Sequence, residues 1–137
     1  MKFTIFNKNT GQIIQSGDCI DSDYDIQYVP NECEKLPIYS DPINQYIENG
    51  IVKDIPQKPE YQSYFDYQTK QWIKDKDAQG YVIKAKRNML LAESDWTQLP
   101  DVPINTKTQW SIYRQELRDI TSQSGYPFDV IWPTKPE

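Results

Sequence analysis

The spacing of apolar residues changes once along this chain, near Asp77, and that change restricts which folds are open to it. Before Asp77, short apolar runs are broken by turn residues, the pattern of small antiparallel strands. After it, Val82, Ala85, Met89, Ala92 and Trp96 recur at intervals of three and four, as on one helical stripe. The two regimes predict an α+β fold. A small antiparallel β meander over residues 1–76 is followed, over residues 77–137, by an α-helical hairpin and an extended Pro/Trp-containing C-terminal tail.

In the first part, KFTIF alternates, NKNTG supplies a turn, and QIIQSG returns antiparallel, with Gly11 able to take a positive φ. DIQYV is a candidate short strand within a polar stretch punctuated by Pro30 and Pro37. Asn49-Gly50 lies between two apolar-bearing runs, a strong local hairpin signal. A third hairpin is expected in YFDYQTKQWIKD, turning at Gln68-Thr69-Lys70. Pro56 and Pro59 give a stiff extended connection between the second and third pieces.

In the second part, one helix is expected from about residue 77 to 95, with Lys84, Lys86, Arg87 and Glu93 mostly off its apolar stripe. Pro100 and Pro103 block its continuation. The next helix starts at about residue 106, where Thr106 and Gln109 fit a capping box, and carries Trp110, Tyr113, Leu117 and Ile120 on its stripe. Packing stripe against stripe makes the hairpin. After Gly125, Pro127, Pro133 and Pro136 favour an extended tail, with Phe128, Val130, Ile131 and Trp132 as anchors.

Composition narrows the chemistry. The 137 residues contain no His, so His-based triads, neutral-pH proton shuttles through His and His-containing zinc sites are excluded. The formal charge of -5 lies in residues 1–60, which hold five Lys against ten Asp or Glu, while the remainder is balanced. No basic surface suited to nucleic acid or an anionic membrane is expected, and no apolar run has the length of a membrane span. MKFTIFNKNTG is too poor in apolar residues for a signal-peptide core, and Cys19 and Cys33 form neither a disulfide framework nor a zinc set. Cytosolic synthesis with reduced thiols is expected.

Three constellations invite a catalytic or metal role. Asp21, Asp23, Asp25 and Glu32 mimic part of a calcium loop, but Ile26 replaces the required Gly and Pro30 interrupts the loop, so a solvated acidic loop is the simpler expectation. Glu93 with Asp95, or Glu116 with Asp119, are carboxylate pairs that hydrolysis would use, yet spacing supplies neither the separation nor the contrasting environments required. Five isolated glycines make no phosphate loop. No catalytic residue, cofactor or metal is therefore assigned. Aromatic side chains stand out instead: Trp96, Trp110, Tyr113 and Trp132 suit a small core and a protein interface alike, and Arg87, Arg114 and Arg118 add planar donors for carboxylates.

Three ordered segments, RNMLLAESDWTQLPDVP (87–103), WSIYRQELRDI (110–120) and GYPFDVIWPTKP (125–136), resemble the phage tail assembly chaperone domain of tail fibre assembly-type proteins. Arg87, Leu90, Leu91 and the SDWTQLPD run match its first segment. Trp110, Tyr113, Arg114, Leu117, Arg118, Asp119 and Ile120 match its second, and Pro127, Val130, Trp132, Pro133 and Pro136 its third; Thr121 departs from the Pro common there. The resemblance implies a non-enzymatic tail protein that binds a tail fibre or baseplate protein and assists its folding, assembly or attachment. A permanent virion component, as baseplate piece or fibre adaptor, is the alternative it implies, and a carboxylate hydrolase is a distant one. It further implies presence in the host cytoplasm during assembly, or retention in the virion tail, and leaves the oligomeric state open. Partner contact or hairpin stabilisation would fall to Arg87, Asp95, Trp96, Gln98, Trp110, Tyr113, Arg114, Arg118, Asp119 and Trp132.

Overall fold

A computed structural model describes all of residues 1–137 and divides them into two units. The first comprises Met1–Pro59 and Tyr64–Ile73, the second Glu60–Ser63 and Lys74–Glu137. Antiparallel β structure comes first and two helices follow.

The first unit is built on β1 (Lys2–Asn7), the middle strand of a three-stranded sheet. Antiparallel β2 (Ile13–Asp18) flanks it on one side and β3 (Cys33–Leu36) on the other. Phe3, Thr4, Ile5 and Phe6 are all buried, so both faces of β1 are covered rather than the single face that alternation suggests. Thr4 is tolerated inside because its hydroxyl donates to Ile38 O at 2.8 Å and meets Ser16 Oγ at 3.0 Å. Gly11 has φ +71°, and a Cβ there would lie 2.0 Å from Ile47 O. That close approach lets Ile47 N donate to Gly11 O at 2.9 Å and brings Ile47 to Phe6 and Ile13 in a small core.

Two hairpins follow: β4 (Gln45–Glu48) with β5 (Ile51–Asp54), and β6 (Ser63–Asp66) with β7 (Gln71–Lys74). Asn49 and Gly50 turn the first, with φ +52° and +76°, as the sequence predicts. Lys70, φ +59°, closes the second; its ammonium reaches Thr10 O and lies 4.8 Å from the Tyr46 ring centroid. Phe65 contacts Tyr46, Tyr67 and Trp72.

The strands thus form three separate sheets, not one meander. DIQYV is not a strand either: residues 24–26 turn, Ile26 and Tyr28 face solvent, and the third strand comes from Cys33–Leu36. The reason is positional, since Cys33–Leu36 can complete the ladder on β1 from Asn7 back to Thr4.

The second unit holds α1 (Lys76–Glu93) and α2 (Ile104–Arg118). Asp75 caps α1 by accepting from Ala78 N at 2.9 Å. The inward face of α1 carries Gly80, Ile83, Leu90, Leu91 and, at its end, Ser94; Val82, Ala85, Met89, Ala92 and Trp96 are exposed. The apolar stripe of the sequence from Val82 to Ala92 is therefore the outer face of α1, and Trp96 lies past the end of the helix in a separate turn. Gly80 belongs inside because the Tyr126 hydroxyl would stand 2.7 Å from a Cβ there.

The α2 stripe is buried as expected, with Leu117 and Ile120 at 0% exposure. The capping box does not form: α2 begins at Ile104, Pro103 occupies the cap with no side-chain hydrogen bond, and Thr106 lies inside the first turn. A proline carbonyl accepting from Lys107 N at 2.9 Å sets the helix start earlier than the motif would. The extended Pro/Trp-containing tail expected after Gly125 is not shown, and residues 124–128 turn instead. Asp119–Ser122 is a 3-10 turn, Gly125 O accepts from Asp129 N at 2.7 Å, and the Gln123 amide brackets Ile131 through its N–H and its carbonyl. No helix is long and apolar enough to cross a membrane.

Candidate functional site

Two neighbouring features of the second unit gather most of the residues singled out by sequence: a braced corner between the helices and a groove beside the end of α2.

The corner begins where α1 stops. Ser94 Oγ hydrogen-bonds back to Leu90 O and Leu91 O at 2.9 and 3.0 Å, satisfying carbonyls that a helix end leaves unpaired. The chain then makes a 3-10 turn over Asp95–Gln98, with Thr97 fully buried and its hydroxyl on Ser94 O at 2.6 Å. From α2, Arg114 reaches across. Its Nη1 donates to Leu91 O at 2.6 Å and Ser94 Oγ at 2.8 Å, and its Nη2 to Asp95 Oδ1 at 2.8 Å. Ser111, one turn earlier, donates to Gln98 Oε1 at 3.0 Å, and Gln98 donates to Thr97 Oγ1 at 2.9 Å. A planar guanidinium suits this position because one side chain can bind a carbonyl, a hydroxyl and a carboxylate at fixed angles.

Aromatic packing closes the corner. Trp110, Tyr113 and Leu117 form a buried cluster lined by Leu90, Leu91 and Trp132. Trp110 meets Tyr113 edge-on at 5.6 Å between centroids and the half-exposed Trp96 at 5.8 Å. Burial, then the nearby Glu93 carboxylate, raises the Tyr113 pKa, so its phenol stays neutral at physiological pH. Lys86 Nζ lies 4.4 Å from the Trp132 ring centroid.

The groove, about 900 Å³, is lined by Glu116, Asp119, Gln123, Asp129, Ile131 and Trp132 among others. Its carboxylates and its indole can receive a cationic or amphipathic segment. No group of three or more His, Cys, Asp or Glu side chains is gathered closely enough to hold a metal.

Residues 81–137 match the family model described as phage tail assembly chaperone protein. No curated protein and no solved structure matches the chain. The matched segment runs from within α1 through α2 to the last residue, and so contains the corner and the groove. It supports a general role in tail assembly, one consistent with a non-enzymatic protein.

Within this segment, Asp95, Trp96, Gln98, Trp110, Tyr113 and Arg114 come together at the corner, and Asp119 and Trp132 at the groove. Arg87 and Arg118 join neither: Arg87 bonds the adjacent Asn88 side chain, and Arg118 is exposed in the last turn of α2. Arg114 is buried, and the carboxylate its planar donors meet is that of Asp95. Ser94, Thr97 and Ser111 belong to the network although sequence reasoning gave them no role; a short hydroxyl side chain just past a helix end is the signal that marks Ser94. Of the carboxylate pairs, Asp95 is held by Arg114 and Asp119 by Gln115 Nε2 at 3.0 Å.

Proposed function

We propose that this chain is a non-enzymatic bacteriophage tail assembly protein whose C-terminal unit binds a tail fibre or fibre-attachment protein and assists its folding, assembly or attachment. The observation that carries the proposal is the family match over residues 81–137. Residues 77–137 act as the working module. The hydrogen-bonded corner holds the two helices in one geometry, and a pre-organised surface loses less entropy on binding. The groove beside it offers Glu116, Asp119 and Asp129 to basic side chains of the bound segment, with Trp132 as an aromatic wall. The protein acts in the host cytoplasm during tail assembly.

Quantitative mass spectrometry of purified virions, alongside lysates of infected cells, tests the assisting role. The chain is expected in the lysate and at far below one copy per fibre in virions. Stoichiometric copies in the virion would replace this role with that of a permanent tail component.

A further inference from the structure

The asparagines of the chain are not held alike. Asn7 Oδ1 accepts from Asn9 N at 2.9 Å and from Thr10 N at 3.0 Å. Asn44 Nδ2 donates to Asp41 Oδ2 at 2.7 Å, and Asn88 Oδ1 accepts from Arg87. Asn49, at the tip of the β4–β5 hairpin, is exposed and its side chain makes no hydrogen bond. It is also the only asparagine followed by glycine. Gly50 is exposed in turn, its backbone N–H is bonded to nothing, and no atom lies within 4 Å of where a Cβ would stand.

A free carboxamide beside an unhindered, unbonded peptide nitrogen is a reactive pair. We propose that Asn49 is a site of spontaneous deamidation, and that its isoaspartate product releases the β4–β5 hairpin from the core of the first unit. Gly50 N gives up its proton to hydroxide and forms a bond to Asn49 Cγ. The Cγ–Nδ2 bond breaks, the amide nitrogen leaves as ammonia, and a succinimide ring remains. Water then opens the ring. Opening at the side-chain carbonyl gives aspartate, and opening at the backbone carbonyl gives isoaspartate, whose main chain runs through Cγ. One water is taken up, one ammonia is released, and nothing is oxidised or reduced. Ring closure requires the Asn49–Gly50 peptide to rotate out of the left-handed turn, φ +52° and +76°. That rotation is local, because the tip is exposed and closed by the Glu48–Ile51 pair, and turn tips open more readily than cores.

The two products differ in what they do to the fold. Aspartate keeps the ordinary backbone and tolerates the left-handed region, so the turn survives. Isoaspartate adds a carbon to the main chain of a two-residue turn, which then no longer matches the pairing of Glu48 with Ile51 and of Ile47 with Val52. Ile47 is the residue at stake: it is 2% exposed against Phe6 and Ile13, and its amide donates to Gly11 O.

Prolonged incubation of the full chain in warm, mildly alkaline buffer tests this, read by peptide-mapping mass spectrometry with isoaspartyl methyltransferase labelling. The mass gain of exchanging an amide for a carboxyl is expected at Asn49 before any other asparagine, with isoaspartate as the larger product. The gain should be several-fold slower in Gly50→Ala, where a methyl crowds the attack. It should be absent at this position in Asn49→Gln, whose longer side chain would have to close a larger ring. The isoaspartate form, separated by ion exchange, should lose hydrogen-exchange protection at the Ile47 amide, while Asn49→Asp keeps it. No gain at Asn49, an earlier gain at another asparagine, or an equal gain in Gly50→Ala would overturn the proposal. So would an isoaspartate form in which Ile47 stays protected.

Discussion

Replacing Arg114 by Met keeps most of the stem that packs between the helices and removes every hydrogen bond of the guanidinium. Three are lost: to Leu91 O, to Ser94 Oγ and to Asp95 Oδ1. Hydrogen bonds to a charged group contribute about 1.5–3 kcal/mol each when buried. The Asp95 share is the smallest, because that carboxylate is 69% exposed and an exposed ion pair is worth about 0–1 kcal/mol. Leu91 O and Ser94 Oγ retain their bond to each other after the change, which limits what is left unsatisfied. The net expectation is a loss of about 3 kcal/mol for Arg114→Met, against about 1 kcal/mol or less for Asp95→Ala. Three of the four tryptophans, Trp96, Trp110 and Trp132, lie in the second unit, so urea unfolding followed by indole fluorescence in a Trp72→Phe background reads that unit alone. If Arg114→Met unfolds like the parent while Asp95→Ala costs as much or more, the corner is not held by the two inner hydrogen bonds and the reasoning fails.

Other consequences are open to simpler tests. Gly11→Ala should destabilise the first unit by on the order of 2–4 kcal/mol, because the methyl would collide with Ile47 O, whereas Gly50→Ala, with open space and only φ +76° to resist, should cost about 1–2 kcal/mol in chemical denaturation. Asp75→Ala should cost about 1 kcal/mol by removing the α1 cap, and Thr106→Ala less than about 0.5 kcal/mol, since the capping box is not formed; an equal loss would reinstate the motif. The Tyr113 phenol has a raised folded pKa, so its contribution is fully present below the unfolded value of about 10 and declines as pH rises from there through the folded value. Urea titrations at rising alkaline pH should show a shallower decline for Tyr113→Phe than for wild type.

What could be read from the sequence followed from local backbone demands. Gly11 and Asn49-Gly50 needed positive φ, and that need is visible in residue type. The α2 stripe was legible because its large apolar residues share one side. On α1 the same method chose the wrong face, since both faces carry apolar residues and the buried one is diluted by Gly80 and, at the helix end, Ser94, whose burial depends on close packing or hydrogen bonds. The pairing of β3 with β1 joins residues far apart in sequence, which periodicity does not encode. The partners of Arg114 were not legible, because its acceptors are a carbonyl and a hydroxyl at the end of another helix and one aspartate, a combination apparent only after folding.

The central claim, that the second unit assists a tail fibre or fibre-attachment protein, is tested most directly by expressing candidate tail proteins of the same phage with and without this chain and measuring the yield of soluble, assembled product. The account predicts that one of them gains yield with the wild-type chain, and gains less when Asp119 and Asp129 at the groove are both changed to Lys. If no tail protein of that phage gains soluble assembly in the presence of the chain, the claim is contradicted.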